Sequence, residues 1–294
     1  MKGLKDNTIK SVWTWFFETL KPIYTENELK SIRRILFEHF FHITEKDIIL
    51  EKQIRLTETD IVRVIKAIKK LENQVPIQYI TGKAYFLEYV FDVNSDVLIP
   101  RPETEELVIF ALNRINSNLG GHENIKILDI GTGSGCIAIA MANKIPTSVV
   151  TAIDKSKEAL DIALVNSKKY GDKVTFVEFD IFDNSQMLDE YDVILSNPPY
   201  VLESEKEFMQ RNVLEYEPES ALFVFDNDPL VFYDEIISKA KSGWLKKNGL
   251  LLFEINEKFS NHIADLFHRY GFVDVHINKD IHNKPRFVSG ILKA

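Results

Sequence analysis

The chain has 294 residues, 45% hydrophobic and 27% charged, with a net charge of −8. That is length for one large or two ordinary domains with ample core material, and the acidic balance argues against a broad nucleic-acid-binding face, which needs basic surface. The single cysteine, Cys136, excludes an internal disulfide and a cysteine-cluster zinc site, and no apolar run approaches the ~20 residues of a membrane helix. The expectation is a cytoplasmic protein with no metal and no stable nucleic-acid or membrane partner.

Residues 1–75 read as helices. Ile9, Val12, Trp13, Phe16, Phe17 and Leu20 recur at helical spacing. Thr25 and Glu28 form a capping box ahead of Leu29, Ile32, Ile35, Leu36 and Phe40. A short third helix is expected over 44–50. A fourth starts at Thr57 and repeats Ile61, Val64, Ile65, Ile68 and Leu71. A small bundle over 1–75 follows, its aromatic residues in the core. This segment carries 14 Lys and Arg against 11 Asp and Glu, a net of +3, which leaves −11 for the rest of the chain. It is therefore the part suited to an acidic partner, though a mixed solvated surface has the same balance.

Composition changes at Pro76. Residues 79–97 are rich in aromatic and β-branched residues, broken at Thr81-Gly82 and Asn94-Ser95, and predict a hairpin linker over 76–98. Residues 98–107 follow, with Pro100 and Pro102 fixing the backbone around Arg101 and Glu103. Acidic residues then open a helix running to about Asn118. Arg101 and Glu103 are candidates to line a pocket.

From Ile125 strands and helices alternate. Strands are expected over 126–130, 149–153, 174–179, 191–196 and 250–255, with two more at 272–277 and 286–292. Helices are expected near 135–144, 156–169, 229–242 and 257–270. This alternation predicts an α/β domain over 99–294, a mostly parallel sheet with helices on both faces.

Three strand ends carry chemistry. Gly131, Thr132, Gly133, Ser134 and Gly135 follow the first strand, and the glycines let backbone turn tightly against a ligand. A dinucleotide fingerprint would place its last glycine at 136, where Cys136 stands, so a pyrophosphate ligand is disfavoured. Asp154 ends the second strand and suits a ribose diol. Asp180 ends the third, beside Ile181, where an adenine would lie. After the fourth strand comes Asn197-Pro198-Pro199-Tyr200. Pro198 holds Asn197 extended and makes a rigid corner at a carboxyl-terminal strand end, where open α/β sheets bind ligands. The Asn197 side-chain carbonyl and a neighbouring backbone carbonyl are placed to grip the two hydrogens of a planar –NH2 group, and Tyr200 offers a flat face. An Asn-Pro step also opens ordinary turns; the three ends together point to a nucleoside ligand and an amine or amide substrate.

The glycine loop, Asp154 and residues 197–200 resemble S-adenosylmethionine-dependent methyltransferases acting on –NH2 groups. Within these, residues 76–82 and 99–105 resemble the peptide chain release factor glutamine methyltransferases (the HemK/PrmC family), and the resemblance covers nearly the whole chain. It implies a seven-stranded Rossmann-like sheet with the last strand antiparallel and a bundle that docks the release factor. It also implies methyl transfer to the Gln amide of a Gly-Gly-Gln motif in class 1 release factors. S-adenosylmethionine is the implied cofactor, held by residues 131–135, Asp154, Asp180, Ile181 and Asn197. Residues 197–200 would then hold the glutamine, with Arg101, Glu103 and Tyr200 walling its pocket. The rival readings are a DNA or RNA amino-methyltransferase, a non-catalytic S-adenosylmethionine- or partner-binding module, and a nicotinamide oxidoreductase, which Cys136 and residues 197–200 disfavour.

Overall fold

A computed structural model describes residues 4–44, 46–47, 54–118, 124–183 and 189–293. They fall into two compact units, residues 1–82 with 210–216, and residues 83–209 with 217–294.

The first unit contains α1 (Ile9–Leu20), α2 (Glu26–Phe41), α3 (Glu58–Glu72) and α4 (Ile77–Thr81). Each of the first three starts on a threonine whose hydroxyl takes a backbone N–H: Thr8 from Ser11, Thr25 from Glu28 and Thr57 from Asp60. Glu28 and Asp60 return the bond, completing two capping boxes. The apolar stripes meet in a core of Val12, Phe16, Leu20, Leu36 and Val64, with Trp13 edge-on to Phe37 at 5.7 Å. The helix expected over 44–50 lies mostly outside the described residues.

The hairpin starts later than its composition indicated. Residues 77–81 are helical, and Gly82, at φ +67°, is a left-handed helix C-cap instead of a hairpin turn. Strands β1 (Lys83–Phe86) and β2 (Tyr89–Asp92) then pair antiparallel and belong to the second unit.

The second unit continues through α5 (Pro102–Asn118), β3 (Lys126–Ile130), α6 (Cys136–Lys144), β4 (Val149–Asp154), α7 (Lys157–Lys169), β5 (Val174–Glu178) and β6 (Tyr191–Ser196). A two-residue strand β7 (Val201–Leu202) follows. Next comes α8 (Arg211–Tyr216), which lies in the first unit, and then β8 (Phe223–Val224), paired parallel with β7. The chain ends with α9 (Val231–Lys239), β9 (Leu245–Glu254), α10 (Ser260–Arg269), β10 (Phe272–Lys279) and β11 (Pro285–Leu292).

Seven strands form one sheet in the order β10-β11-β9-β6-β3-β4-β5. All pairings are parallel except those of β11, antiparallel to both neighbours. The expected topology is therefore present, last strand included. From β3 the chain builds outward first through β4 and β5, then on the other side through β6 and β9. The order reverses at β3, so its carboxyl end and that of β6 flank the crevice where such sheets take ligands. Both strands are buried on both faces, as their continuous apolar runs require. β9 begins five residues before the apolar run; Lys246, Lys247 and Asn248 disguise its start, with Asn248 left-handed at φ +65°.

Candidate active site

The glycine loop is built from below by a buried carboxylate. Asp129 is fully buried, and its Oδ2 accepts from Thr132 Oγ1 at 2.6 Å and from the Ala138 N–H at 3.2 Å. Burial pushes its carboxyl up to about 7. From above, the N–H groups of Gly131 and Thr132 both donate to the Ile153 carbonyl, tying the loop to β4. Gly131, Gly133 and Gly135 all have positive φ, but for different purposes. A Cβ at Gly131 or Gly133 would meet no atom within 4 Å. At Gly135 it would lie 3.1 Å from Ala163 Cβ and Ile139 Cδ1, so that glycine lets α7 pack close to the start of α6.

Asn166, fully buried in α7, fastens the loop to the hairpin. Its Nδ2 donates to the carbonyls of Ser134 and Asp92, both at 3.0 Å, and its Oδ1 accepts from the Asp92 N–H at 2.6 Å. No feature of the sequence marks it.

The strand ends enclose a cavity of about 290 Å3, close to the small end of the roughly 300–1,000 Å3 usual for ligand sites. Gly131, Gly133, Asp154, Asp180, Ile181, Asn197, Pro198 and Pro199 line it, as the sequence reading grouped them. Asp154 accepts from the Gly133 N–H on Oδ2 and from the Ser156 N–H on Oδ1, each at 2.9 Å. Burial raises its carboxyl and those two bonds lower it, with burial the larger effect. Each oxygen keeps a lone pair for a further donor, the arrangement a ribose diol requires. Phe179, Ile181, Phe232 and Ile236 supply an apolar wall for a base. This cavity fits S-adenosylmethionine: a diol acceptor, an apolar base slot, and glycines whose missing side chains leave room for the ligand.

At the corner, Ser196 Oγ donates to the Ile130 carbonyl at 2.8 Å and joins the end of β6 to that of β3. Asn197 Nδ2 donates to Thr104 Oγ1 at 3.1 Å; Thr104 Oγ1 donates to Glu254 Oε2 at 2.7 Å; Tyr200 donates its hydroxyl to Glu254 Oε1 at 3.0 Å. Glu254 is 1% exposed, and burial pushes its carboxyl up to about 7.

The other expected site residues stand outside the cavity. Thr132 and Ser134 are buried within the loop, and Gly135 is spent on helix packing. Arg101, Glu103 and Tyr200, expected to wall a substrate pocket, do not line this cavity. The Arg101 guanidinium bonds Glu217 Oε1 at 2.5 Å, while Glu217 Oε2 accepts from the Ile99 N–H at 3.1 Å. Arg101 thereby holds residues 99–101 against 217–221, from which Pro218, Ser220 and Ala221 face the cavity. Glu103 sits one residue before Thr104 in the first turn of α5 and adds negative charge near Glu254. Tyr200 is turned back toward the core, where burial, and after it the Glu254 carboxylate, push its hydroxyl well above the usual tyrosine range. Nothing local in the sequence pairs Thr104 with Glu254. The available signal was Glu254 itself, an ionisable residue inside the apolar run 250–255.

Residues 110–220 match the model of the methyltransferase small domain, and residues 11–82 match that of the PrmC N-terminal domain. The release factor glutamine methyltransferase of Flavobacterium psychrophilum is 41% identical over 95% of this chain and 98% of its own. That of Bacteroides thetaiotaomicron is 38% identical over 92% and 96%. Among solved structures, a methyltransferase from Pyrococcus furiosus superposes with a TM-score of 0.50 at 18% identity, over 81% of this chain and all of that one.

Proposed function

The chain belongs to the release factor glutamine methyltransferases, and from that membership we propose that Asn197 and Pro198 present the accepting glutamine amide to a methyl donor seated between the glycine loop and Asp154. The enzyme transfers a methyl group from S-adenosylmethionine to a glutamine of a release factor; the target is the Gln of a Gly-Gly-Gln motif in class 1 factors.

One observation carries the assignment of Asn197. Thr104 gives its only hydroxyl proton to the Glu254 carboxylate, so the Asn197 atom facing Thr104 has to be the –NH2 donor. The Asn197 carbonyl oxygen is then the atom left for a ligand at this cavity wall. An acceptor suits a substrate –NH2; a donor would not.

S-adenosylmethionine, when bound, supplies an electrophilic sulfonium methyl. An amide nitrogen is a poor nucleophile because its lone pair is delocalised, so the protein's work is alignment. Fixing reactants at near-attack geometry removes up to ~7–11 kcal/mol of barrier in favourable cases. Acceptors on the two N–H bonds become more favourable as positive charge grows on nitrogen, which places their effect in the transition state. No side chain on this wall has to act as a base; Asn197 positions, and the amide proton leaves to water.

The bundle, matched by the PrmC N-terminal domain, is the proposed docking element for the release factor. Incubating purified release factor with this protein and S-adenosylmethionine, then digesting and sequencing by mass spectrometry, tests the assignment. The expected product is a single added methyl on the Gly-Gly-Gln glutamine; methylation elsewhere, or none, would refute it.

A further inference from the structure

Resting on the reading of Asn197 as the substrate acceptor, we infer that Thr104 and Glu254 form a positioning relay that fixes which end of the Asn197 side-chain amide faces the substrate. An asparagine amide has two ends of nearly equal size and opposite hydrogen-bonding character. Turned over, Asn197 would offer donors to a substrate –NH2 and reject it. Its sequence neighbours do not prevent this, since prolines fix the backbone and leave the side-chain torsion free. The lock comes from two other elements, Thr104 in the first turn of α5 and Glu254 at the end of β9.

The direction of each bond follows from the buried end. Glu254 is 1% exposed and, ionised, only accepts. Both of its oxygens are occupied by hydroxyls, Thr104 at 2.7 Å and Tyr200 at 3.0 Å. Thr104, 3% exposed, therefore spends its proton on Glu254 and offers only lone pairs to Asn197. Reversing Asn197 would set its carbonyl oxygen against the Thr104 oxygen with no proton between them, at a buried site where an unmade bond is costly. Protonating Glu254 on Oε2 frees the side chain to reverse, because that carboxyl oxygen then donates to Thr104 and Thr104 recovers its proton for Asn197.

The groups facing Glu254 come from every element packed on it. Tyr200, Arg286 of β11, Glu103 of α5, Tyr233 of α9 and Cys136 of α6 all interact with it electrostatically. Burial raises the carboxyl most, the Thr104 and Tyr200 hydroxyls and then Arg286 lower it, Glu103 raises it, and the carboxyl is left at about 7. The relay is thus complete above neutral pH and lost below it.

The test is the full chain carrying Thr104→Val, Thr104→Ser, Glu254→Gln or Asn197→Ala, assayed for kcat and KM on intact release factor and for S-adenosylmethionine affinity. Thr104→Val, which keeps shape and removes the hydroxyl, is expected to lower kcat by roughly tenfold or more with cofactor affinity within about twofold. Thr104→Ser should restore kcat to within about threefold. In an Asn197→Ala background Thr104→Val should cost nothing further, because the relay acts only through Asn197. The kcat of the wild type should fall as pH drops through about 7, and Glu254→Gln should abolish that limb. Normal kcat in Thr104→Val beside an inactive Asn197→Ala would overturn the relay. Equal losses in the Val and Ser variants would also overturn it, since packing would then explain both. Normal kcat in Asn197→Ala would refute the acceptor reading itself and the relay with it.

Discussion

The Gly133 backbone N–H lies 2.9 Å from Oδ2 of Asp154, so the glycine loop and the acid at the end of β4 are one construction. Asp154 shapes the loop as well as facing the cavity. Asp154→Ala should therefore remove a charged acceptor from the ligand and leave the N–H groups of Gly133 and Ser156 without their partner. S-adenosylmethionine affinity is expected to fall by about 1.5–3 kcal/mol. Asp154→Asn, keeping one acceptor for two N–H groups, should lie between. Calorimetry showing unchanged affinity in the Ala variant would place the ribose elsewhere.

Two glycines of the same loop separate binding from folding. A side chain at Gly133 points into open cavity, and one at Gly135 into Ala163 and Ile139. Gly133→Val is expected to abolish cofactor binding in a chain that remains folded, its left-handed φ adding a strain of ~1–2 kcal/mol. Gly135→Val should unfold first, because α7 would have to move off α6. Thermal melting and calorimetry on both variants check this. Equal melting temperatures, or cofactor binding retained at position 133, would contradict the division.

What the sequence made legible follows from which interactions are local. The glycine loop, Asp154 and the Asn197 corner each announce themselves within a few residues, because each is a strand end with its own turn chemistry. The helix caps at Thr25 and Thr57 are legible for the same reason. Thr104 and Glu254 are 150 positions apart, and their bond has no local signature; nor has the Asn166 bridge to Asp92, 74 positions away. Arg101 illustrates the converse. A charged residue between prolines reads as a pocket wall, yet its partner Glu217, 116 positions on, makes it a brace. The hairpin start is not legible because Gly82 serves a helix end as readily as a turn.

Glu254 also sets a pH dependence of stability. Burial raises its carboxyl from 4.5 in the unfolded chain to about 7 in the fold. Between those values the unfolded chain has released the proton and the folded chain holds it, so stability falls as pH rises. At ~1.4 kcal/mol per pH unit the whole decline is on the order of 3 kcal/mol. Asp129 contributes with the same sign, so the Glu254 part is isolated by difference. The stability of the wild type minus that of Glu254→Gln, from urea unfolding, should drop by about that amount between pH 4.5 and 7.5. A flat difference would mean the carboxyl does not titrate in that window.

The proposed docking role of the bundle is open to a kinetic test. A Gly-Gly-Gln tip has almost no side-chain surface beside its reactive residue, so discrimination among glutamines has to come from contacts elsewhere. Remote contacts of that kind orient the reacting group and change kcat/KM. In α3, Val64, Ala67, Ile68 and Leu71 face the bundle core, while Lys66 and Lys70, one turn apart, are exposed on the other side. They belong to the segment with the net charge of +3. Removing the whole bundle is a poor test, because residues 210–216 belong to that unit and lie in sequence between the corner and Glu217. Charge reversal avoids this. Lys66→Glu with Lys70→Glu should raise KM on intact release factor by roughly tenfold at low salt, and the penalty should shrink as salt screens it. A short Gly-Gly-Gln peptide, which lacks the rest of the factor's surface, should be methylated at an unchanged rate. Equal losses on factor and peptide would indicate damage to the fold. An unchanged KM on the intact factor would show that this face of α3 does not dock it.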